Sequence, residues 1–187
     1  MYPAIFLDRD GVIIKNREAY VRSWNDVETY PQALTALAEA SAKPYKFVIV
    51  TNQSVVGRGI IPLSAAREIN KRLVETIVQS GGRIDGVFMC PHAPQANCEC
   101  RKPKPGLLLQ AAQHLSLDLS RSVMIGDAWS DLLAGQAAGV PHLALVRTGR
   151  GAEQAEAPIP ANLQSFQIYD TLAGALEDVG LRSGKSA

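Results

Sequence analysis

Nothing in this chain approaches the roughly 18 consecutive apolar residues that a membrane-spanning helix requires. It has no block of one charge sign either. Nineteen basic and eighteen acidic residues leave a net charge of +1. Neither nucleic acid nor an anionic membrane surface is therefore an expected partner. The first residues, Met1-Tyr2-Pro3, show no basic segment, apolar signal core or cleavage site, so a cytoplasmic location is the expectation. Cysteine is scarce. The three present are an odd number and all fall between positions 90 and 100, which argues against a secreted disulfide framework. There is no internal repeat and no low-complexity segment. The chain has 187 residues with 47% hydrophobic content, enough for one compact domain over 1–187 with its own core. A monomer is expected.

Short apolar runs alternate with helical periodicities. Ala4–Leu7, Lys46–Val50, Val87–Met89, Ser122–Ile125 and His142–Val146 read as strands. Pro31–Lys43, Pro62–Ser80, Pro105–Leu115, Trp129–Ala138 and Thr171–Val179 read as helices. Ala152–Pro160, rich in Ala, Glu and Pro, reads as a loop. Repeated strand-then-helix units predict an α/β fold: a three-layer, Rossmann-like parallel sheet with helices on both faces. Such sheets bind ligands at the carboxyl ends of their strands.

The residues just past each strand carry the chemistry. The first run leads directly into Asp8-Arg9-Asp10-Gly11. At an effective dielectric of about 20, like charges about 4 Å apart repel by roughly 4 kcal/mol. A cation, a shared proton or a reaction would make use of such a pair. Taken alone, Asp and Gly also make an ordinary turn. The second strand ends in Thr51-Asn52-Gln53-Ser54, and the third leads through the cysteine-containing loop to Arg101-Lys102-Pro103. The fourth ends in Gly126-Asp127, with Asp131 one helical turn on. A parallel sheet would gather all four junctions at one edge. That set fits phosphoryl transfer. Asp8, Asp10 and Asp127 can hold a hard divalent cation, and Mg2+ suits few carboxylates plus a substrate phosphate. A carboxylate can be phosphorylated as nucleophile. Thr51 and Lys102 can supply donors and charge to the phosphoryl oxygens, and Asp10 can serve as general acid.

These motifs, FLDRDG, VTNQS, RKPKPG and GDAWSD, resemble in order and separation the four motifs of the haloacid-dehalogenase-like (HAD-type) phosphatases. Within that superfamily the chain most resembles the D-glycero-D-manno-heptose-1,7-bisphosphate 7-phosphatase family, with histidinol-phosphatase domains as near relatives. The resemblance runs from about Ala4 to Val179. It implies Asp8 as nucleophile and Asp10 as acid/base. Thr51 would bind the phosphoryl group, Lys102 would stabilise it, and Asn52, Gln53 and Ser54 would line the phosphate and substrate side. Mg2+ would be held by Asp8, Asp127 and the main-chain carbonyl of Asp10, with Asp131 orienting these ligands. Lys104, at the variable position of the Lys-Pro-Lys-Pro motif, would be a solvated side chain. The substrate would be a small phosphorylated sugar, attacked at its 7-phosphate.

Cys90, His92, Cys98 and Cys100 make a Cys3His set that suits tetrahedral Zn2+. The alternative is three buried free cysteines and a surface histidine. In the family that the chain resembles, the block C-P-H…C-x-C-R-K-P is a zinc site. Four protein ligands leave no open position, so this zinc would be structural and would fix the angle at which Arg101 and Lys102 meet the substrate. His114 and His142 lie outside the cluster and read as ordinary helix-surface and strand-end histidines.

The resemblance is incomplete. The stretch between His92 and Cys98 is short, Lys15–Ala19 does not match well, and Val12 and Ala128 replace commoner residues. These departures bear on the sugar, not on the reaction. About forty residues separate Asp10 from Thr51 and about fifty separate Thr51 from Lys102, so neither gap holds a cap domain. An open site is predicted, walled by the zinc loop, Tyr20–Trp24 and the 54–61 loop. Gly57-Arg58-Gly59 offers a cation to a second phosphate, or is a plain glycine loop. A receiver-like signalling domain also uses Asp, Thr and Lys on a parallel sheet, but its acceptor Asp follows a later strand than its acidic pair. A catalytically dead zinc module would not need the intact acid set.

Overall fold

The computed structural model describes residues 1–183. Its frame is one six-stranded sheet: β1 (Ala4–Leu7), β2 (Lys46–Asn52), β3 (Gly86–Cys90), β4 (Val123–Gly126), β5 (His142–Val146) and β6 (Gln167–Tyr169). The spatial order is β3-β2-β1-β4-β5-β6, and every neighbouring pair is parallel. Among the described residues seven α-helices accompany it: α1 (Pro31–Ala40), α2 (Ser54–Gly57), α3 (Leu63–Gln79), α4 (Gly106–Leu115), α5 (Trp129–Ala137), α6 (Gly151–Glu156) and α7 (Leu172–Ser183).

The centre of the sheet explains the apolar runs. All four β1 residues are wholly buried. Ile5 and Leu7 join the core formed with Leu37 of α1, Leu73 and Ile77 of α3 and Leu176 of α7. Ala4 and Phe6 face the other core, with Leu107, Leu108 and Ala111 of α4 and Leu132 of α5. A strand covered on both faces reads as a continuous hydrophobic run rather than an alternating one. The three-layer α/β architecture is as the sequence indicates.

Four local expectations are corrected. β2 continues two residues past Val50, so Thr51 and Asn52 are still paired, with Met89 and Cys90 of β3. α1 stops at Ala40 rather than Lys43, because Ser41 N–H closes a tighter turn onto Ala38 O. The first part of the expected 152–160 loop is α6. Gly151 opens that helix hard against β5, where a Cβ would meet Val146 O at 1.6 Å, and only glycine can begin a helix there. Finally, α2 and β6 had no counterpart in the sequence reading. Each is too short, at 4 and 3 residues, to leave a periodic signal.

The segment after β1 is pinned down. Val12, Ile13 and Ile14 are buried, and Ile14 bridges to both Asp10 and Thr29. Among the described residues no helix is long and apolar enough to cross a membrane.

Candidate active site

The carboxyl ends of β1, β2 and β4 meet where the order turns from β2 to β4 across β1. Asp8 leaves β1 with its N–H still bonded to Ile125 O of β4, at 3.0 Å. The Lys102 ammonium lies beside its carboxylate. It donates to Asp8 Oδ1 (2.7 Å), Val50 O (2.7 Å) and Asp131 Oδ1 (2.6 Å), which uses all three of its protons. Asp127 is completely buried. One oxygen each from Asp8, Asp127 and Asp131 lie within 4.8 Å of one another. Three buried carboxylates, two of them on Lys102, form an oxygen donor set with excess negative charge, which fits a hard divalent cation.

The electrostatics follow from that crowding. Burial pushes the Asp8 carboxyl up to about 7; Lys102 opposes the shift, while Asp131, Asp127 and Asp10 add to it. Burial also works against the charge on Lys102, but Asp131 and Asp8 outweigh it and hold the ammonium above its ordinary value. Asp127 is raised by burial and by Asp131, with Arg150 opposing.

Asp10 stands apart from the trio. Its carboxylate accepts from Arg9 and from Gln53 Nε2 (2.8 Å), and the same Gln53 amide donates to Thr51 Oγ1 (2.8 Å). Thr51 is 1% exposed. Asn52 turns elsewhere. Its amide donates to Lys102 O (3.0 Å) and accepts from Lys102 N–H (3.1 Å), so it clasps the main chain of the lysine loop. Ser54 opens α2 at the same edge, and Arg58 stands exposed beyond it. Arg101 Nη1 is buried without a hydrogen-bond partner.

Three further groups reach Asp127 or the loop beside it, and the sequence reading missed them. Asn16 Nδ2 donates to Asp127 Oδ2 (2.9 Å) from the poorly matching Lys15–Ala19 stretch. Arg150 donates to Asp127 Oδ2 through its N–H (2.9 Å), and its guanidinium lies 3.2 Å from Oδ1. Thr148 Oγ1 donates to Gly11 O (2.6 Å) and ties that loop to the loop after β1. Between them Gly149 has φ +60°, and a Cβ there would lie 2.4 Å from Gly11 Cα and 2.5 Å from Asp127 Oδ2. The signal was available: Thr148-Gly149-Arg150-Gly151 comes just after β5, as the other motifs come just after their strands.

The cysteine loop closes on itself. Cys90 Sγ lies 3.6 Å from Cys98 Sγ and 3.6 Å from His92 Nδ1, and Cys100 Sγ lies 3.4 Å from Cys98 Sγ and 3.2 Å from His92 Nδ1. These separations exceed a disulfide bond, about 2.05 Å. They approach the edge of a tetrahedron with metal–sulfur bonds of about 2.3 Å, which is about 3.8 Å. The donor set and its spacing fit zinc. Burial opposes ionisation of Cys98, yet hydrogen bonds from Cys100, Cys90 and main-chain N–H groups bring its thiol down to about 7. Burial, Cys90 and Cys98 push Cys100 up to about 12. Lys104, expected in solvent, binds Asn97 O, Asn97 Oδ1 and Glu99 and so braces this loop. The loop also abuts α2: a Cβ on Gly57 would lie 2.3 Å from Ala93 N. His114 packs edge-on against Phe88, and His142 lies exposed at the start of β5, both outside the cluster.

The chain has known relatives. The HAD-hydrolase-like family profile matches residues 99–175. The chain is 34% identical over 175 residues to the D-glycero-beta-D-manno-heptose-1,7-bisphosphate 7-phosphatase of Pseudomonas putida, covering 94% of this chain and 98% of that protein. The Helicobacter pylori protein of the same name is 42% identical over 140 residues, covering 74% and 80%. Among solved structures, the D,D-heptose 1,7-bisphosphate phosphatase of Bordetella bronchiseptica, complexed with magnesium and phosphate, superposes with a TM-score of 0.87 at 32% identity. That match covers 96% of this chain and 99% of the other. On these matches, with the HAD-type sheet and its strand-end site, the chain belongs to the D-glycero-D-manno-heptose-1,7-bisphosphate 7-phosphatase family of the haloacid-dehalogenase-like hydrolases.

Proposed function

We propose that the chain is a Mg2+-dependent phosphomonoesterase that removes the 7-phosphate of D-glycero-D-manno-heptose 1,7-bisphosphate. The observation that carries the reading is the Asp8 carboxylate, held against Lys102 in a buried acidic trio at the carboxyl edge of the sheet. An Asp8 oxygen attacks phosphorus while the bond from phosphorus to the sugar oxygen breaks. Asp10 gives its proton to that departing oxygen. Asp10 then takes a proton from water, whose oxygen attacks the same phosphorus and releases Asp8 and inorganic phosphate.

Each neighbour has a part. Lys102 and Thr51 meet the charge on the phosphoryl oxygens. Gln53 links Thr51 to Asp10, and Asn52 keeps Lys102 in place through its main chain. Ser54 and Arg101 would meet the rest of the sugar. Asp8, Asp127 and the main-chain carbonyl of Asp10 would hold Mg2+, with Asp131 steering Lys102 beside them. The bound cation supplies Lewis-acid stabilisation to the transferring group. Cys90, His92, Cys98 and Cys100 would hold a structural Zn2+ that fixes Arg101 and Lys102. This reading includes a single domain acting as a cytoplasmic monomer, with no nucleic acid or membrane partner.

The family names and the magnesium- and phosphate-bound relative support this substrate and cation. The deciding experiment is phosphate release from α- and β-heptose 1,7-bisphosphates, histidinol phosphate and hexose phosphates, with and without Mg2+. Preference for the heptose bisphosphates is expected. A strong preference for histidinol phosphate would overturn the sugar assignment. Asp8→Asn should abolish turnover with an unchanged circular dichroism spectrum, and full activity in that variant would overturn the mechanism.

A further inference from the structure

Arg9 is the bulkiest of the almost completely buried side chains, at 1% exposure. A buried guanidinium is tolerated only when it is paired and hydrogen-bonded. Arg9 meets that condition at one place. Nε donates to Asp10 Oδ2 (3.0 Å) and Nη2 to Asp10 Oδ1 (3.0 Å), a two-point fork. Its third group, Nη1, donates to Asn70 Oδ1 (2.7 Å). Asn70 projects from α3, is itself 7% exposed, and its Nδ2 reaches Met89 Sδ of β3 at 3.5 Å. Arg9 therefore stands between the acid/base carboxyl and two elements that take no part in the chemistry.

An ionised carboxylate offers about four lone-pair positions. At Asp10, Oδ2 accepts from both Arg9 Nε and Gln53 Nε2, while Oδ1 accepts from Arg9 Nη2 alone. One position remains open, and it is on Oδ1. We infer that Arg9, braced by Asn70, is the positioning residue of the acid/base. Its fork fixes the plane of the Asp10 carboxyl and leaves Oδ1 as the oxygen that exchanges the proton with the leaving group and then with water. The inference rests on the phosphatase reading above. A lysine at position 9 would supply a point charge without the planar fork.

The test separates positioning of the acid from general support of the site. A sugar alkoxide leaves only with a proton, whereas nitrophenolate leaves with little help. Arg9→Lys and Asn70→Ala are compared with the wild type on a sugar phosphate and on p-nitrophenyl phosphate, in single-turnover and steady-state measurements. Asn70 lines a groove of about 550 Å3 between α3 and β3, so water can replace its amide, and this variant carries the test if Arg9→Lys does not fold. General acid–base catalysis is worth about 10²–10⁴-fold. On that scale, kcat for the sugar phosphate should fall about 10- to 100-fold in Arg9→Lys, and less in Asn70→Ala, with KM little changed. The nitrophenolate burst should keep close to its wild-type rate and then give way to a slow steady state, as hydrolysis of the Asp8 phosphate waits on Asp10. Equal slowing of the single-turnover release of both leaving groups, or no slowing of either ester in any phase, would overturn the inference alone. A wild-type protein inert to both would overturn the phosphatase reading together with it.

Discussion

Replacing Lys102 by Met tests the electrostatics of the site without touching an acid. The side chain is buried, and its charge is the only cation bonded to Asp8 or Asp131 among the described residues. Its removal leaves the acidic trio, with oxygens within 4.8 Å of one another, to repel itself with only Arg150, on Asp127, as an offset. At an effective dielectric of about 20, each pair at that outer separation costs roughly 3.5 kcal/mol, or about 10 kcal/mol for three pairs. The full repulsion is not realised, because Asp8 already titrates at about 7 and the variant can keep it protonated at neutral pH. Proton uptake wins over charge repulsion. The cost then falls to that of stripping one partner from a buried ion pair, about 3–5 kcal/mol. For a chain of this size that lowers the melting temperature by about 6–20 °C. Melting of both proteins by circular dichroism, in chelator and in excess Mg2+, measures it. Magnesium should close at least half of the gap, because a divalent cation replaces the lost charge. A variant that melts in chelator within about 2 °C of the wild type would refute the account of the trio.

Three further outcomes rest on the same geometry. Asp8 is raised from about 4 in an unfolded chain to about 7, so its contribution to stability is complete below pH 4 and is lost as pH rises through 7. In chelator the protein should melt lower at pH 8 than at pH 6. Mg2+ requires the ionised group, so its affinity by calorimetry should rise over that interval with release of protons, and a flat affinity would count against it. Cys100→Ser should remove zinc, read by metal analysis, and lower kcat about tenfold or more, since Arg101 and Lys102 come directly after it; retained zinc at one per chain would contradict the ligand assignment. Gly149→Ala should destabilise by about 1–3 kcal/mol and weaken Mg2+ binding, because its Cβ has no room beside Gly11 and Asp127; an unchanged titration would show that the loop yields freely.

Much of the site was legible because the chemistry sits where strands end. Asp8 and Lys102 are 94 residues apart in the chain, yet a parallel sheet places both at one edge. The central strands were legible because burial on two faces leaves unbroken apolar runs such as Ala4–Leu7. Direction was harder to read than position. Asn52 reads as a substrate ligand, but its amide fits the main chain of Lys102. Arg9 has no assigned role in the sequence, because nothing local announces that it will be buried against Asn70 of α3. Asn16 and Arg150 are single polar residues in loops, and their value depends on Asp127, which lies more than a hundred residues from Asn16. The four residues of α2 and three of β6 are shorter than either period needs to show itself.

The contact between Gly57 and Ala93 has a consequence for anyone redesigning the enzyme. With no space for even a methyl group between them, α2 and the cysteine loop can move or change shape only together. Asn52, two residues before α2, adds a second stitch through the main chain of Lys102. A segment exchange between relatives that carried 90–104 without 53–61 would therefore set one backbone into the other. The transplantable unit at the mouth of this site is the pair, even though α3 and most of β3 lie between its halves in the chain.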